Sequence, residues 1–158
     1  MLFLLFQLGD DRYALDASQV AEVLPLIELK GIPQTPAAVA GVFNCRGRPV
    51  PVIDLSVLAL GRPAQRCLST RILVVHYAAD GALEPHPLGL IAEKATHTLR
   101  REASDFTAPG VSDAAAPYLG PVAADAQGLV QWIDIQKLLP QALRQLLFRQ
   151  VPDSRGPT

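Results

Sequence analysis

Two prolines inside one apolar run constrain this chain more than any other feature. Residues 41–55 read Gly41-Val42-Phe43-Asn44-Cys45-Arg46-Gly47-Arg48-Pro49-Val50-Pro51-Val52-Ile53-Asp54-Leu55: an apolar strand, a polar corner and a second apolar strand. Bulk from Val42 to Cys45 favours extended backbone, and Gly47 lets the chain reverse. Pro49 and Pro51 carry no N–H, so the returning strand lies at a sheet edge or its ladder is broken on that side. Asp54 ends the strand and offers a carboxylate to the free N–H groups of a short helix over residues 55–60. The resulting hairpin presents Asn44, Arg46 and Arg48 at or near its corner.

A chain of 158 residues fits one domain, since domains commonly run to about 100–200 residues. We expect that domain over 1–150, with a disordered tail at 151–158. A 49% hydrophobic share against 18% charged is ample for a packed core. Net charge −1 and pI near 6.3 give no electrostatic reason to expect nucleic acid or an anionic membrane as partner. One Trp, three Tyr and five Phe also offer few stacking platforms for bases. The apolar start, Met1 to Phe6, meets Gln7 and Gly9-Asp10-Asp11, far short of the ~18 apolar residues a span requires. Without a basic leader or small-residue cleavage site it reads as a strand and not a signal peptide. Two cysteines, Cys45 and Cys67, suggest a reducing compartment, although two could pair. The expectation is a soluble cytoplasmic protein.

Residues 2–8 and 12–16 form a hairpin, with Tyr13 and Leu15 on one face and Arg12, Ala14 and Asp16 on the other. Residues 17–24 fit a short helix or a further strand, cut off by Pro25. Residues 29–36 are a connection stiffened by Pro33 and Pro36, and 61–66 a link. Strands are expected over 70–77, 88–92 and 96–99, with loops at 78–87 and 101–117. A second hairpin, 118–124 and 129–133, turns at residues 125–128. Asp134 then caps a terminal helix whose apolar stripe comprises Ile135, Leu138, Leu139, Leu143, Ala142 and Leu146, kinked at Pro140. The halves, about 1–60 and 70–147, echo each other: Val52-Ile53-Asp54-Leu55 finds a counterpart in Trp132-Ile133-Asp134-Ile135, and Tyr13-Ala14-Leu15 a weaker one in Leu88-Gly89-Leu90. Five short strands cannot bury two faces as an open sheet, so each half is expected to curl into a small barrel. The cleft between two barrels suits a long, narrow occupant such as a helix.

Residues capable of chemistry mostly have plainer roles. Asp54 and Asp134 could form a carboxylate pair, but both stand where a strand hands over to a helix. His76, His86 and His97 lack zinc-ligand spacing. Cys45 reads as a small buried hydrophobe before a catalytic thiol. Phosphate-binding glycine loops and a Gly-x-Ser-x-Gly elbow are absent. Neither cofactor nor metal is implied. Arg46 is either a solvated hairpin arginine or a guanidinium placed to fork onto a partner's carboxylate or carbonyls. Glu22 is either a solvated charge, the ligand of Arg46, or a ligand of a partner.

The stretch from Asn44 to Leu55 resembles the N-L-R-G-x-x-x-P-x-x-D-L signature of CheW-like domains, which join chemoreceptors to a CheA-type histidine kinase. The resemblance spans nearly the whole chain: residues 6–16, Val20-Ala21-Glu22-Val23, residues 36–42, 70–75, Leu88-Gly89-Leu90-Ile91 and 135–139 follow in family order. It implies a mainly β fold of two interlocked five-stranded SH3-like barrels. It also implies a non-enzymatic adaptor, located in the cytoplasm at receptor arrays. A groove for a receptor's helical tip would include Val20, Glu22, Arg46 and Gly89, with Asn44 and Gly47 shaping the corner. Barrel ends would bind the kinase's regulatory domain. Cys45 stands where the family has leucine, and the loops at 78–87 and 101–117 depart from the compact form. Such departures would suit a secondary pathway with a surface-sensing or second-messenger output. The alternative is a small ligand-binding or hydrolytic barrel using Asp54, Asp134 and a histidine.

Overall fold

The computed structural model describes residues 1–78, 84–110 and 114–148. Among the described residues nine strands carry the fold: β1 (Leu2–Leu8), β2 (Asp11–Asp16), β3 (Val20–Pro25), β4 (Val39–Cys45), β5 (Arg48–Asp54), β6 (Arg71–Tyr77), β7 (His86–Arg100), β8 (Leu119–Asp125) and β9 (Gly128–Ile133). The same residues include two α-helices, α1 (Leu55–Leu60) and α2 (Gln141–Leu147).

The strands divide at β7 into two five-stranded sets. In one, the C-terminal part of β7 pairs with β1, β1 with β2, β2 in parallel with β9, and β9 with β8. In the other, β3 pairs with β6, β6 with the N-terminal part of β7, that part in parallel with β5, and β5 with β4. Each set therefore combines three strands from one half of the chain with a hairpin from the other. The echo between halves survives as element order, but neither half forms a sheet of its own. Exchanged hairpins tie the halves together more firmly than two adjacent modules could be tied.

β7 is the pivot of this exchange. Strands expected separately at 88–92 and 96–99 are one strand of fifteen residues. The polar pair Glu93-Lys94 does not end it. Lys94 takes a positive φ of 53°, and the β1 register slips between Leu5 and Gln7. An irregularity of this kind bends a strand without breaking it, so β7 leaves one set and enters the other.

Alternation along the strands feeds three cores. Phe6, Leu15, Ile53, Leu73, Leu90, Ile135 and Leu139 belong to the largest, which lies between the sets and under the helices. Ala14, on the opposite face from Leu15, joins Phe3, Phe106 and Val130 inside the first set. Val52, Ile72, Val74 and Ile91 fill the second set. Each large side chain fully withdrawn from water contributes about 1.5–3 kcal/mol, so the shared core makes the two sets cooperative.

β5 pairs with β4 along its length but with β7 only over Val52–Asp54. The prolines precede that shared stretch, and the ladder is broken on their side as expected. Residues 17–24 resolve into a 3₁₀ turn, Ala17–Gln19, capped by Asp16 and followed by β3. Pro140 breaks the terminal helix outright instead of kinking it. A 3₁₀ turn over Ile135–Lys137 precedes it and α2 begins after it. This resets the helical phase: Leu143 is buried, Leu147 and Phe148 pack partly on the core, and Ala142 and Leu146 face water. The loop at 101–117 carries a 3₁₀ turn, buried Phe106 against Phe3 and Trp132, and a bridge from Thr107 to Val122. The expected tail at 151–158 and the centre of the 78–87 loop lie outside the described residues.

Candidate interaction site

The corner between β4 and β5 is a two-residue loop, since Cys45 pairs with Arg48. Both loop residues have positive φ, 56° at Arg46 and 82° at Gly47. This matches a type I′ hairpin, whose twist suits the flanking strands. Glycine meets that requirement freely; arginine does so at a conformational cost. Asn44 offsets part of it, accepting the Gly47 N–H on Oδ1 at 2.8 Å.

Arg46 leans across to β3, where its guanidinium stands 3.1 Å from Glu22 Oε2. The arginine side chain remains 80% exposed while the glutamate is 24% exposed. Cys45 points its thiol at the same Glu22 oxygen, 3.7 Å away. Glu22 is thus the ligand of Arg46, one of the readings left open by the sequence. Glu22, Cys45 and Arg46 join the outer edges of β3 and β4, which share no strand ladder.

Four of the six residues expected in the groove come together here: Arg46, Glu22, Asn44 and Gly47. Val20 and Gly89 stand apart. A register slip between Val20 and Glu22 turns their side chains to opposite faces, and Val20 packs on the large shared core. Gly89 is buried in β7; a Cβ there would lie 2.9 Å from Val52 Cγ2 and 3.2 Å from Ile72 Cγ2. It connects to the corner only through a row across the sheet, Glu22 to Val74 to Gly89 to Val52.

The two acids at strand ends are occupied by capping. Asp54 accepts from the N–H groups of Ser56 and Val57, and its second oxygen accepts from Ala64 at 3.1 Å. Asp134 accepts from Gln136 N at 3.0 Å. The echo extends to the backbone, where Asp54 N–H donates to Ala38 O and Asp134 N–H to Tyr118 O. These bonds do not favour a carboxylate-based hydrolytic site. Among the described residues no cluster of His, Cys, Asp or Glu could hold a metal ion, and Cys45 and Cys67 are free thiols.

The strongest polar contact lies elsewhere and no local pattern announces it. Arg12 of β2 forks onto Asp125 at the end of β8, at 2.8 and 2.7 Å, across 113 residues of sequence. That guanidinium holds the Asp125 carboxyl down to about 2. Ser69 and Thr70 hydroxyls lower the thiol of exposed Cys67.

A β fold whose strand-end acids serve as caps, and whose prominent cation sits exposed on a hairpin corner, defines an interaction module. The chain belongs to the CheW-like domain family, which it matches over residues 2–143. It is 30% identical over 144 residues to the chemotaxis protein CheW of Klebsiella aerogenes, covering 87% of this chain and 80% of that protein. It is also 30% identical over 150 residues to Protein FrzA of Myxococcus xanthus, covering 93% and 90%. The scaffolding protein TtCheW of Thermoanaerobacter tengcongensis shares the fold, with TM-score 0.72 at 24% identity over 85% of this chain and 84% of that one. The protein is accordingly a chemotaxis coupling adaptor, of a family that interacts with chemoreceptors and CheA. Among the described residues no helix is long and apolar enough to cross a membrane.

Proposed function

We propose that the protein couples the cytoplasmic helical tip of a chemoreceptor-like protein to the regulatory domain of a CheA-type histidine kinase, without catalysing a reaction itself. In this reading the two five-stranded sets are the interlocked SH3-like barrels of the family, assembled in the cytoplasm at receptor arrays. The receptor tip takes the groove at the β4–β5 corner. Arg46 makes the principal contact, Glu22 orients it, and Asn44 and Gly47 fix the turn. Val20 and Gly89 support that groove from within the sheet.

One observation carries the assignment: an 80%-exposed guanidinium held at a positive-φ position by a partly buried carboxylate. A non-glycine residue in that conformation costs of order 1 kcal/mol or more, and such outliers concentrate at functional sites. The test is a pull-down with a receptor cytoplasmic fragment and, separately, with the kinase regulatory domain. Arg46→Glu should abolish receptor capture, keep kinase capture and leave the amide spectrum dispersed. Undiminished receptor capture by a folded Arg46→Glu would remove the groove assignment.

A further inference from the structure

The pairing registers relate the two sets strand by strand, and the relation locates a second mouth in the molecule. In the second set the row runs Glu22, Val74, Gly89, Val52; in the first it runs His97, Leu5, Ala14, Trp132. The corners correspond as well, because Cys45 pairs with Arg48 and Asp125 with Gly128 across two-residue loops. His97 therefore occupies the place of Glu22, and Ala126 that of Arg46. The first set lacks the ion pair that joins the edges of the second.

An open groove lies where that latch is missing. It measures about 630 Å³ and runs between β7, the part of the β1–β2 hairpin next to its turn, and the β8–β9 corner. Leu5 and Leu99, which pack on the small core of the first set, line its floor. Lys94, His97 and Arg101 line its rim. Asp125 is already neutralised by Arg12, so the rim is cationic in a chain whose net charge is −1. Lys94 is one of three non-glycine residues with positive φ among those described. Along residues 96–100, β7 pairs with β1 on one side only, and the gap on its other side is lined by Arg100, Arg101, Ala124 and two acids, Glu102 and Asp105; Glu102 stands 3.8 Å from the Met1 ammonium and Asp105 accepts from the Glu102 N–H.

We infer that this groove is a second docking surface, and that its occupant is an extended protein segment alternating carboxylates with apolar side chains. The carboxylates meet Lys94 and Arg101, the apolar side chains cover Leu5 and Leu99, and the backbone adds to the unpaired edge of β7. The groove is too open to enclose a small molecule, which usually needs most of its surface covered. Insertion of the β4–β5 corner from a second copy is opposed by charge, since that corner carries Arg46 and Arg48.

The probe is an eight-residue peptide alternating glutamate and valine, titrated into the full-length protein and followed by amide chemical shifts. Saturable shifts should concentrate at residues 94–99 and 125–127. Lys94→Glu and Arg101→Glu should each weaken binding about tenfold or more, whereas Arg46→Glu should bind the peptide unchanged. The milder Lys94→Gln and Arg101→Gln give the same reading should charge reversal disturb the fold. His97→Glu with Ala126→Arg builds the missing latch and should abolish binding while every rim lysine and arginine remains. Absence of saturable shifts at millimolar peptide, equal binding of a lysine–valine peptide, or indifference to these substitutions in folded protein would overturn the inference.

Discussion

The two hairpin corners share a frame and differ in what they do with it. At the β4–β5 corner both loop residues have positive φ, one of them an arginine, and the exposed guanidinium finds a partner at the neighbouring edge. At the β8–β9 corner Ala126 and Gln127 have ordinary φ, and only Gly128 is positive, at 121°. There Asp125 accepts from Gln127 N and clamps Arg12 with both oxygens. One corner holds a charge outward at a conformational cost; the other draws its charges inward and gains stability. A duplicated scaffold can specialise in this way because the turn conformation is decided within four residues, while the strands that support it are decided by the core.

The hardest test of that shared frame concerns the glycines that begin the two hairpins. A Cβ on Gly41 would lie 2.6 Å from Lys30 O, at a φ of 149°. A Cβ on Gly120 would lie 2.8 Å from Trp132 O, with no positive φ to add to the conflict. Backbone carbonyls cannot swing aside as side chains do. We expect Gly41→Ala to cost about 3 kcal/mol and Gly120→Ala about 2 kcal/mol, read from urea denaturation midpoints. A neutral Gly41→Ala would show that the first hairpin is looser than its counterpart.

Acid separates the corners next. Asp125 is held at about 2 by the bidentate Arg12 bond and by Gln127 N–H. A carboxylate depressed in the folded state adds stability above its unfolded pKa, and that stability is lost as pH falls through the folded value. The loss therefore falls between about pH 4 and pH 2. Desolvation of the two largely covered side chains limits the net contribution to about 1–2 kcal/mol. Arg12→Met should lower stability at pH 7 by that amount and flatten the decline between pH 4 and 2. An unchanged acid-unfolding curve would place the stabilising contact elsewhere.

Legibility in the sequence follows the range of the interaction. The β4–β5 hairpin, the Asp54 and Asp134 caps and the pairing gap beside Pro49 and Pro51 depend on neighbours a few residues away, and could be read directly. The continuity of β7 could not, because Glu93-Lys94 looks like a polar corner and only the demands of both sheets keep it extended. The phase of α2 depended on whether Pro140 kinks or breaks, which the pattern of leucines does not determine. At the site, Arg46 and Gly47 are recognisable by motif, but residue type points only to the glycine for the reversal, while the backbone takes positive φ at both. Nothing local pairs Arg12 with Asp125, or turns Val20 away from Glu22 through a slipped register.

The turn itself provides a smaller and more pointed measurement. If Arg46 is kept in a type I′ position for its charge, asparagine there should relieve the backbone, since asparagine tolerates positive φ better. Arg46→Asn should stabilise the protein by about 0.5–1 kcal/mol in thermal or urea unfolding while failing to capture the receptor fragment. A substitution at Ala126, where φ is ordinary, should show no such opposition between stability and binding. Loss of both together at Arg46 would mean that the guanidinium is structural.

The smallest effect is the coupling between Arg46 and Glu22, and its smallness is informative. Their atoms approach to 3.1 Å, yet most of the arginine side chain remains in water. Exposed ion pairs couple by roughly 0.2–1 kcal/mol, so a cycle built from Arg46→Met and Glu22→Gln should return about 0.5 kcal/mol and fade in 1 M salt. The equivalent cycle on Arg12 and Asp125, with two short bonds and both side chains largely covered, should give a larger value that salt reduces less. A guanidinium held this weakly can turn from its own glutamate to a partner's acceptor at little cost, whereas the clamped Arg12 cannot. Equal coupling at the two corners would erase the distinction between the arginine proposed for binding and the one that serves the fold.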